Sequence, residues 1–270
     1  MDLFDFPDVA MDYDFFDEVL TKNDKSFSKQ ACEDFHISIT DRFNCKKVLD
    51  IACGTGCPMI SLCRQGLDVT GVDNSQAMLN VLNQKLCEQK YIAHLVCSNM
   101  SNFDLQTQFD LTIIARSGFL HLTTTEDQIK ALNAINHHLV DEGILTFSTN
   151  YPNFELLAKA LHGIKNQLEA EFQNSTGNFV KIFSESIIDP ETQTINSKWT
   201  FKEFNAENEL VKVRERPLKL RFTFPSEIEH LLVICGFKVL ERYGGYDYCP
   251  PMYPGNIVWL AQKVGNSKIF

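Results

Sequence analysis

The sequence predicts an α/β protein with a doubly wound, mostly parallel sheet that an inserted small antiparallel sheet interrupts. Between residues 48 and 148, short apolar strand patterns alternate with amphipathic helix patterns, which is typical of a parallel sheet with helices on both faces. After residue 153, three strand patterns follow one another through short turns, which favours an antiparallel sheet. Two strand patterns near the C-terminus, at 237–243 and 257–262, then complete the first sheet.

The first part of the chain contains five predicted strands, at 48–52, 68–73, 92–97, 109–115 and 144–148. The fourth is apolar enough to be buried on both faces. Pro58 lies where the first helix begins, and Ser75 is predicted to cap the second. Thr125 with Gln128 forms a capping box for the helix before the fifth strand.

The inserted part is predicted to begin with a helical stretch that reaches residue 173. Its three strands centre on residues 180–182, 199–201 and 218–224. Ser226 is then predicted to cap a helix that ends at Gly236. The basic segment 212–221 alternates with apolar residues, which indicates the solvent-facing side of a strand and leaves a nucleic-acid site as the less favoured alternative.

Composition narrows the class of protein. The 270 residues are 44% hydrophobic, which is enough for a sizeable core, and the formal charge of −10 disfavours nonspecific nucleic-acid binding. No apolar run approaches the roughly 20 residues of a membrane span, and the acidic start does not resemble a signal peptide, so a cytoplasmic protein is expected. The nine cysteines include no CxxC pair, which favours buried reduced thiols over zinc or disulfides. We predict no metal site.

Two loops at the carboxyl edge of the predicted parallel sheet have the residues of a ligand site. Gly54 and Gly56 allow a sharp turn and a close backbone approach, and the helix after Pro58 points its free N–H groups at the same place. Asp73 ends the second strand, where its two oxygens could accept both hydroxyls of a ribose. The alternatives are a glycine turn without ligand and a helix-capping Asp73, although Ser75 fits that role better.

Two further loops reach the same edge. Asn99 and Met100 follow the third strand, where an amide could read an adenine edge and a thioether could contact the ring, although a lone Asn is more often a turn residue. His121 follows the fourth strand on the side where an acceptor would enter. It could take a proton from an amine or hydroxyl, or it could simply cap the loop.

Taken together, these segments resemble the class I S-adenosylmethionine-dependent methyltransferases. Residues 48–56, Val-Leu-Asp-Ile-Ala-Cys-Gly-Thr-Gly, are similar to the first motif of that family almost letter for letter. Residues 72–75 with Met78 are similar to the second motif, and residues 138–145 to the stretch that enters the fifth strand. Two departures are Asn99, where the family usually has Asp, and residues 141–143, where it often has Pro-Gly-Gly.

The resemblance implies a seven-stranded Rossmann-like sheet that binds S-adenosyl-L-methionine and releases S-adenosyl-L-homocysteine. It divides the chain into an N-terminal helical lid (1–44), a cofactor-binding core (45–150 and 225–265) and an inserted helix plus antiparallel sheet (151–224). The insertion resembles that of amino-sugar and glycine-type N-methyltransferases, where it shapes the acceptor site and often a dimer contact. The implied cofactor contacts are Asp50, Ala52, Gly54, Gly56, Asp73, Asn74, Met78, Asn99, Met100 and Arg116.

The resemblance also implies transfer of a methyl group to an amine or hydroxyl of a small-molecule acceptor. Tyr13 lies in an aromatic segment similar to a lid, so we expect Tyr13 to close over the cofactor while His121 orients or deprotonates the acceptor. A hydrophobic anchor is the alternative role of Tyr13. A noncatalytic cofactor-binding or partner-binding protein on the same fold, or a methyltransferase acting on protein or RNA, remains the alternative function. The resemblance also predicts a homodimer through the inserted sheet and no membrane partner.

Two other functions are disfavoured. An NAD-dependent dehydrogenase would need a third glycine near position 59, where Met59 stands. DNA is not expected as a partner, because residues 115–118 lack the Asn/Asp-Pro-Pro-Tyr-like tetrapeptide of base N-methyltransferases.

Overall fold

In a computed structural model of the chain, which describes residues 3–264, two sheets carry the fold. The larger is a seven-stranded sheet of β1 Lys47–Ile51, β2 Asp68–Asp73, β3 His94–Cys97, β4 Phe109–Ile114, β5 Leu139–Tyr151, β10 Phe237–Tyr243 and β11 Gly255–Lys263. Its order is β10-β11-β5-β4-β1-β2-β3, and the strands run parallel except for β11, which is antiparallel to both of its neighbours. The predicted α/β fold with a Rossmann-like sheet is confirmed.

Helices cover both faces of this sheet, because successive side chains of a strand point to opposite faces. Val48 of β1 packs into one core with α2 Lys29–Arg42, α3 Met59–Arg64 and α4 Gln76–Gln89. Its neighbour Leu49 packs into the other core with α5 Thr125–His138 and α7 Pro225–Ile234. The prediction that the fourth strand is buried on both faces is also confirmed, since Leu111, Ile113 and Ile114 are inaccessible.

Several predicted boundaries are wrong by a few residues. Ser75 caps α4 as expected, by accepting a hydrogen bond from Met78, but α5 is capped by Thr124 and not by Thr125. At α7, Glu227 accepts a hydrogen bond from the Phe224 amide, and Ser226 lies inside the helix. The third strand begins at His94, two residues later than predicted, and Ile92 lies outside the strand and is exposed.

The inserted sheet has four antiparallel strands where three were predicted: β6 Ile164–Gln173, β7 Phe179–Asp189, β8 Thr194–Phe204 and β9 Leu210–Arg221. The predicted helical stretch is wrong beyond α6 Phe154–Leu161, because residues 164–173 form β6. Glu, Gln and Ala favour helices locally, but burial of Ala170 and Phe172 against the N-terminal helix, together with pairing to β7, decides the strand.

The N-terminal helix α1 Pro7–Thr21 lies on this inserted sheet, where Val9 and Phe16 pack against Val180 and Phe201. This contact corrects the prediction for the arginines of the basic segment in β9, whereas its lysines, Lys212 and Lys219, are exposed as predicted. Arg214, Arg216 and Arg221 do not face solvent; their side chains are 6%, 18% and 6% exposed. Two of them turn inward because α1 presents Asp8, which accepts hydrogen bonds from Arg214 and Arg216.

The cysteines form no disulfide with one another. All nine cysteines are free, and five are buried, but Cys87 and Cys97 are exposed. None of the helices within residues 3–264 is long and apolar enough to cross a membrane. The division into three domains stays a prediction, and residues 1, 2 and 265 of its ranges lie outside the described residues.

Candidate cofactor site

The loop between β1 and α3 forms one wall of the site, and its backbone has the unusual conformation that the glycines predict. Ala52 and Gly54 have φ of 54° and 52°, in the left-handed region. Gly54 donates its amide hydrogen to Asp73 Oδ2 at 2.8 Å, which ties the loop to the end of β2. Gly56 has a different role, since a Cβ there would lie 2.6 Å from a methyl group of Leu82. It allows the loop to pack against α4.

Asp73 is a nearly buried carboxylate whose orientation is fixed. Its Oδ1 accepts a hydrogen bond from the Ser75 amide and its Oδ2 accepts one from Gly54, both at 2.8 Å. Burial raises the pKa of Asp73, while the two amides and His121 oppose the rise. Each oxygen keeps a second lone pair, so the side chain can still accept two donors from a ligand.

Three adjoining cavities lie along this edge of the sheet and share Ala52 in their walls. The largest, of about 600 Å³, lies between α1, the start of α2 and the glycine loop. The second, about 110 Å³, is lined by Phe4, Tyr13 and Asp73. The third, about 70 Å³, lies beside Asn99 and Met100. The set therefore runs from the third strand past Asp73 and the glycine loop to α1.

Most of the residues predicted for cofactor binding lie together in these walls. They are Ala52, Gly54, Asp73, Asn74, Met78, Asn99, Met100 and Arg116. Asn99 also has the turn role that was its alternative, because its Oδ1 accepts hydrogen bonds from both the amide and the hydroxyl of Ser101 at 2.8 Å. Its amide nitrogen is the group that remains for a ligand.

Two predicted residues, Asp50 and Gly56, do not line a cavity. Asp50 is fully buried in β1, and neither carboxylate oxygen has a hydrogen-bond partner. Burial raises the pKa of Asp50 well above its usual range, and the negative charge of Asp73 adds to the rise. The Met59 amide opposes this rise in the pKa of Asp50, although the amide does not reach hydrogen-bonding geometry. Asp50 is thus held behind the loop, out of reach of a ligand.

Tyr13 and His121, the two predicted catalytic residues, meet across Phe4. The ring centroid of Phe4 is 5.6 Å from that of Tyr13 and 5.4 Å from that of His121. Tyr13 lines the largest and the second cavity, and His121 lines the second and third. The Tyr13 ring reaches the cavity surface, but the surrounding protein and Asp17 raise the pKa of its hydroxyl. Tyr13 is therefore a neutral phenol that can donate a hydrogen bond and cannot act as a base near neutral pH.

The polar residues that hold α1 over the site were not predicted from the sequence. Asp14 accepts a hydrogen bond from Thr55 Oγ1 at 2.6 Å and pairs with Lys85 of α4. Lys85 also donates to the carbonyl oxygen of Thr55 at 3.0 Å. The only hint in the sequence is that Asp14 and Asp17 are three residues apart, which places them on one face of a helix.

Arg116 connects the fourth strand to the same helix. Its guanidinium donates to Asp17 and to the carbonyl oxygen of Phe27, and its amide donates to the Tyr246 hydroxyl at 2.9 Å. Burial alone would lower the pKa of Arg116, but Asp17 outweighs it and the pKa is raised. The arginine stays charged at the junction between the largest and the second cavity. Within residues 3–264, no group of three or more His, Cys, Asp or Glu side chains could hold a metal ion.

The known proteins that this chain resembles in sequence are methyltransferases. Residues 48–143 match a methyltransferase domain. YqeM of Bacillus subtilis, a candidate methyltransferase, is 26% identical over 233 residues, which cover 80% of this chain and 84% of YqeM. A glycine/sarcosine N-methyltransferase of Aphanothece halophytica is 31% identical over 144 residues, and the chain spans about half of its length, 52%.

The fold has a close counterpart among solved structures. An S-adenosylmethionine-dependent methyltransferase from Clostridium acetobutylicum superimposes with a TM-score of 0.78 at 22% identity, over 93% of this chain and 96% of that one. The residues around Asp73 and the glycine loop fit an adenosyl ligand, because a fixed carboxylate can hold the ribose hydroxyls and the loop leaves room for the methionine part. The matched domain and the relatives show a methyltransferase, and the fold is that of the class I S-adenosylmethionine-dependent methyltransferases, so the chain is an enzyme whose cofactor is S-adenosyl-L-methionine.

Proposed function

We propose that the enzyme transfers the methyl group to an amine or hydroxyl of a small polar acceptor, with an amine nitrogen favoured. The observation that carries this proposal is the cavity of about 600 Å³, which continues from the glycine loop and Arg116 to α1. Its wall includes carboxylates and ammonium groups, among them Asp14, Glu33 and Lys29. A wall of mixed charge suits a polar acceptor better than a lipid.

One relative supports nitrogen as the methylated atom. The protein from Aphanothece halophytica, whose identity to this chain is 31%, is named for N-methylation of glycine and sarcosine, both small amines. Two of the carboxylates in the wall, Asp14 and Asp17, are paired with Lys85 and Arg116. The other two, Glu18 and Glu33, are the groups that could attract an ammonium group of the acceptor. An acceptor amine must lose its proton before its lone pair can attack.

The protein's contribution to the reaction is binding, orientation and removal of that proton. Bound S-adenosylmethionine supplies an electrophilic methyl group on a sulfonium. Asp73 would hold the ribose hydroxyls, and Met100 would contact the adenine. Holding the two reactants in line can supply roughly 7–11 kcal/mol of the barrier. We assign Tyr13 to closing the cavity and orienting the acceptor through its hydroxyl, and His121 to orienting the acceptor or receiving its proton.

The acceptor class is tested with labelled cofactor. Purified enzyme is incubated with methyl-labelled S-adenosylmethionine and a fractionated cell extract, and the labelled product is identified by mass spectrometry. We expect the label on a nitrogen of a small polar metabolite. Label found in protein or RNA fractions alone would contradict the proposal. Label on an oxygen of a small metabolite would support the small acceptor and contradict the preference for nitrogen.

The roles of His121 and Tyr13 are tested by His121→Ala and Tyr13→Phe, with exposed His162→Ala and Tyr253→Phe as matched controls. Loss of a general base typically costs about 10²–10⁴-fold in rate, so we expect kcat of His121→Ala to fall by at least about 10²-fold. Unchanged turnover in both site variants would remove the two residues from the mechanism. The cytoplasmic location, the homodimer and the absence of a DNA partner stay predictions.

A further inference from the structure

A pair of thiols lies behind the glycine loop at the wall of the largest cavity. Cys57 is half-buried and lines that cavity, whereas Cys32 on α2 is completely buried. The Cys57 sulfur is 3.9 Å from the carbonyl oxygen of Lys29, in the first turn of α2. Cys32 follows Lys29 by three residues, which places it on the same face of that helix. The accessible thiol therefore faces the helix surface that holds the buried one.

The buried thiol of Cys32 lies beside the ring of His36 on the same helix. His36 Nδ1 is 2.7 Å from the Cys32 carbonyl oxygen and 3.5 Å from the Cys32 sulfur. Because a carbonyl oxygen can only accept, Nδ1 carries the hydrogen, and the same N–H lies beside the sulfur. Burial lowers the pKa of His36 to about 4, so its ring is neutral near pH 7.

The positive charge of Arg116 acts on the same pair. Burial is the main cause of the raised pKa of Cys32, a hydrogen bond with Cys57 adds to the rise, and Arg116 opposes it. Cys57 also lies close enough to Arg116 to raise the pKa of the guanidinium. The hydrogen bond between Cys32 and Cys57 places the two sulfurs in contact, and the guanidinium of Arg116 lies close to both.

We propose that Cys57 and Cys32 form a peroxide-oxidisable pair whose disulfide closes the cofactor site. The Cys57 thiolate attacks hydrogen peroxide, which gives a sulfenic acid on Cys57 and hydroxide. The Cys32 sulfur then attacks the Cys57 sulfur, the S–O bond breaks, and the Cys32 proton leaves with the hydroxide as water. Two thiols and one peroxide thereby give one disulfide and two waters, and a dithiol reductant reverses the reaction.

The disulfide would act on the cofactor through the loop that bears Cys57. A disulfide holds its sulfurs about 2.05 Å apart, much closer than two thiols in contact. Cys57 is three residues from Gly54, whose amide is hydrogen-bonded to Asp73 at 2.8 Å. Drawing Cys57 toward α2 therefore strains the loop and its hydrogen bond to Asp73, the carboxylate to which the proposed function assigns the ribose hydroxyls.

The experiment uses the full-length enzyme, hydrogen peroxide and S-adenosylhomocysteine as the binding probe. After oxidation and alkylation of remaining thiols, non-reducing peptide mapping should show a Cys32–Cys57 link with the loss of two hydrogens. Calorimetry on the same sample should show at least about tenfold weaker affinity for the probe, and dithiothreitol should restore it.

Two variants make the result specific. Cys57→Ser should keep its own affinity for S-adenosylhomocysteine through oxidation, and Cys57→Ala provides a second variant if the serine protein folds poorly. The matched control Cys97→Ser, which removes an exposed thiol 3.7 Å from the Asn74 carbonyl oxygen, should still lose affinity on oxidation. Absence of the Cys32–Cys57 peptide, a linked protein of unchanged affinity, or equal loss in Cys57→Ser would overturn the proposal.

Discussion

Two carboxylates on neighbouring strands, Asp50 and Asp73, illustrate how the position of one residue decides its chemistry. Asp73 lies at the end of β2, where two backbone amides fix it and a cavity reaches it. Asp50 lies one residue before the end of β1, where it is enclosed and has no hydrogen-bond partner. Both have a raised pKa because of burial, but only Asp73 accepts hydrogen bonds that stabilise its charged form.

Asp73→Asn should weaken cofactor binding. An asparagine places its NH₂ group against either the Gly54 or the Ser75 amide, so one donor faces another and the negative charge is lost. Hydrogen bonds to charged groups contribute about 1.5–3 kcal/mol, so the dissociation constant of S-adenosylhomocysteine should rise roughly 10–100-fold. Calorimetry measures this change. The control Asp68→Asn, an exposed carboxylate at the start of the same strand, should bind as the wild type does; equal affinities in all three proteins would contradict the prediction.

The raised pKa of Asp50 predicts how stability depends on pH. The folded protein keeps the Asp50 proton at pH values where the unfolded chain, with an ordinary carboxyl group, has lost it. This contribution is complete below about pH 4 and falls by up to about 1.4 kcal/mol per pH unit as the pH rises toward the folded pKa.

Asp50→Asn cannot ionise and should not show this fall. Urea unfolding at several values between about pH 5 and pH 8 should therefore show the variant gaining stability relative to the wild type as the pH rises. The control Asp68→Asn makes the same replacement at an exposed position of the neighbouring strand and shows whether any gain is specific to Asp50. Parallel curves for the wild type and Asp50→Asn would show that Asp50 ionises normally in the folded protein.

At the scale of elements, α1 is held at both ends by charge. Its first half pairs with the inserted sheet, where Arg214 lies 2.8 Å from Asp8 and 3.6 Å from both Asp12 and Glu203. Its second half is attached to the catalytic core through Asp14 and Asp17. The inserted sheet therefore positions the helix that closes the largest cavity.

Arg214→Met should destabilise the protein strongly. It leaves Asp12 and Glu203 enclosed without their countercharge, and breaking a buried ion pair by removing one partner costs about 3–5 kcal/mol. The control Lys198→Met removes a half-exposed lysine that pairs with Glu185 and Glu215 on the same sheet, where we expect a much smaller cost because water screens exposed ion pairs. Urea denaturation measures both, and equal costs would show that the Arg214 cluster does not hold α1.

At the scale of the whole molecule, the cavities are bounded by parts that lie far apart in the sequence. α1, the loops of the seven-stranded sheet and the start of α2 all contribute to the largest one. A ligand that contacts all of them should stabilise the molecule and slow the opening of α1. Binding to the folded state alone adds about 2.7 kcal/mol at one hundred times the dissociation constant.

Saturating S-adenosylhomocysteine should therefore raise the melting temperature by several degrees and slow amide hydrogen exchange in α1. The exposed helix α6, which lines none of the three cavities, should exchange at its original rate. Adenosine, which lacks the amino-acid part, should protect α1 less. Equal protection of α1 and α6, or none in α1, would show that α1 does not close over the ligand.

The parallel core, the glycine loop and the residues at the carboxyl edge could be predicted from the amino-acid sequence, because these features depend on local patterns. A strand of 48–52 followed by two glycines, and an aspartate at the end of the next strand, predict a ligand site from chain order alone. The same local rules placed Ser75 correctly as a helix cap. They could not separate Gly54, which faces the cavity, from Gly56, whose absent side chain makes room for Leu82.

The first strand of the inserted sheet and the contacts of the N-terminal helix could not be predicted, because they depend on segments that lie far apart in the sequence. Residues 164–173 could form a helix or a strand, and pairing with β7 together with burial against α1 selects the strand. Arg214 and Arg216 turn inward because Asp8 meets them from 206 and 208 residues away. The ties of Asp14 to Thr55 and Lys85 also join distant segments. Such contacts depend on which surfaces meet in three dimensions, and a charged or ambiguous segment alone does not specify its partner.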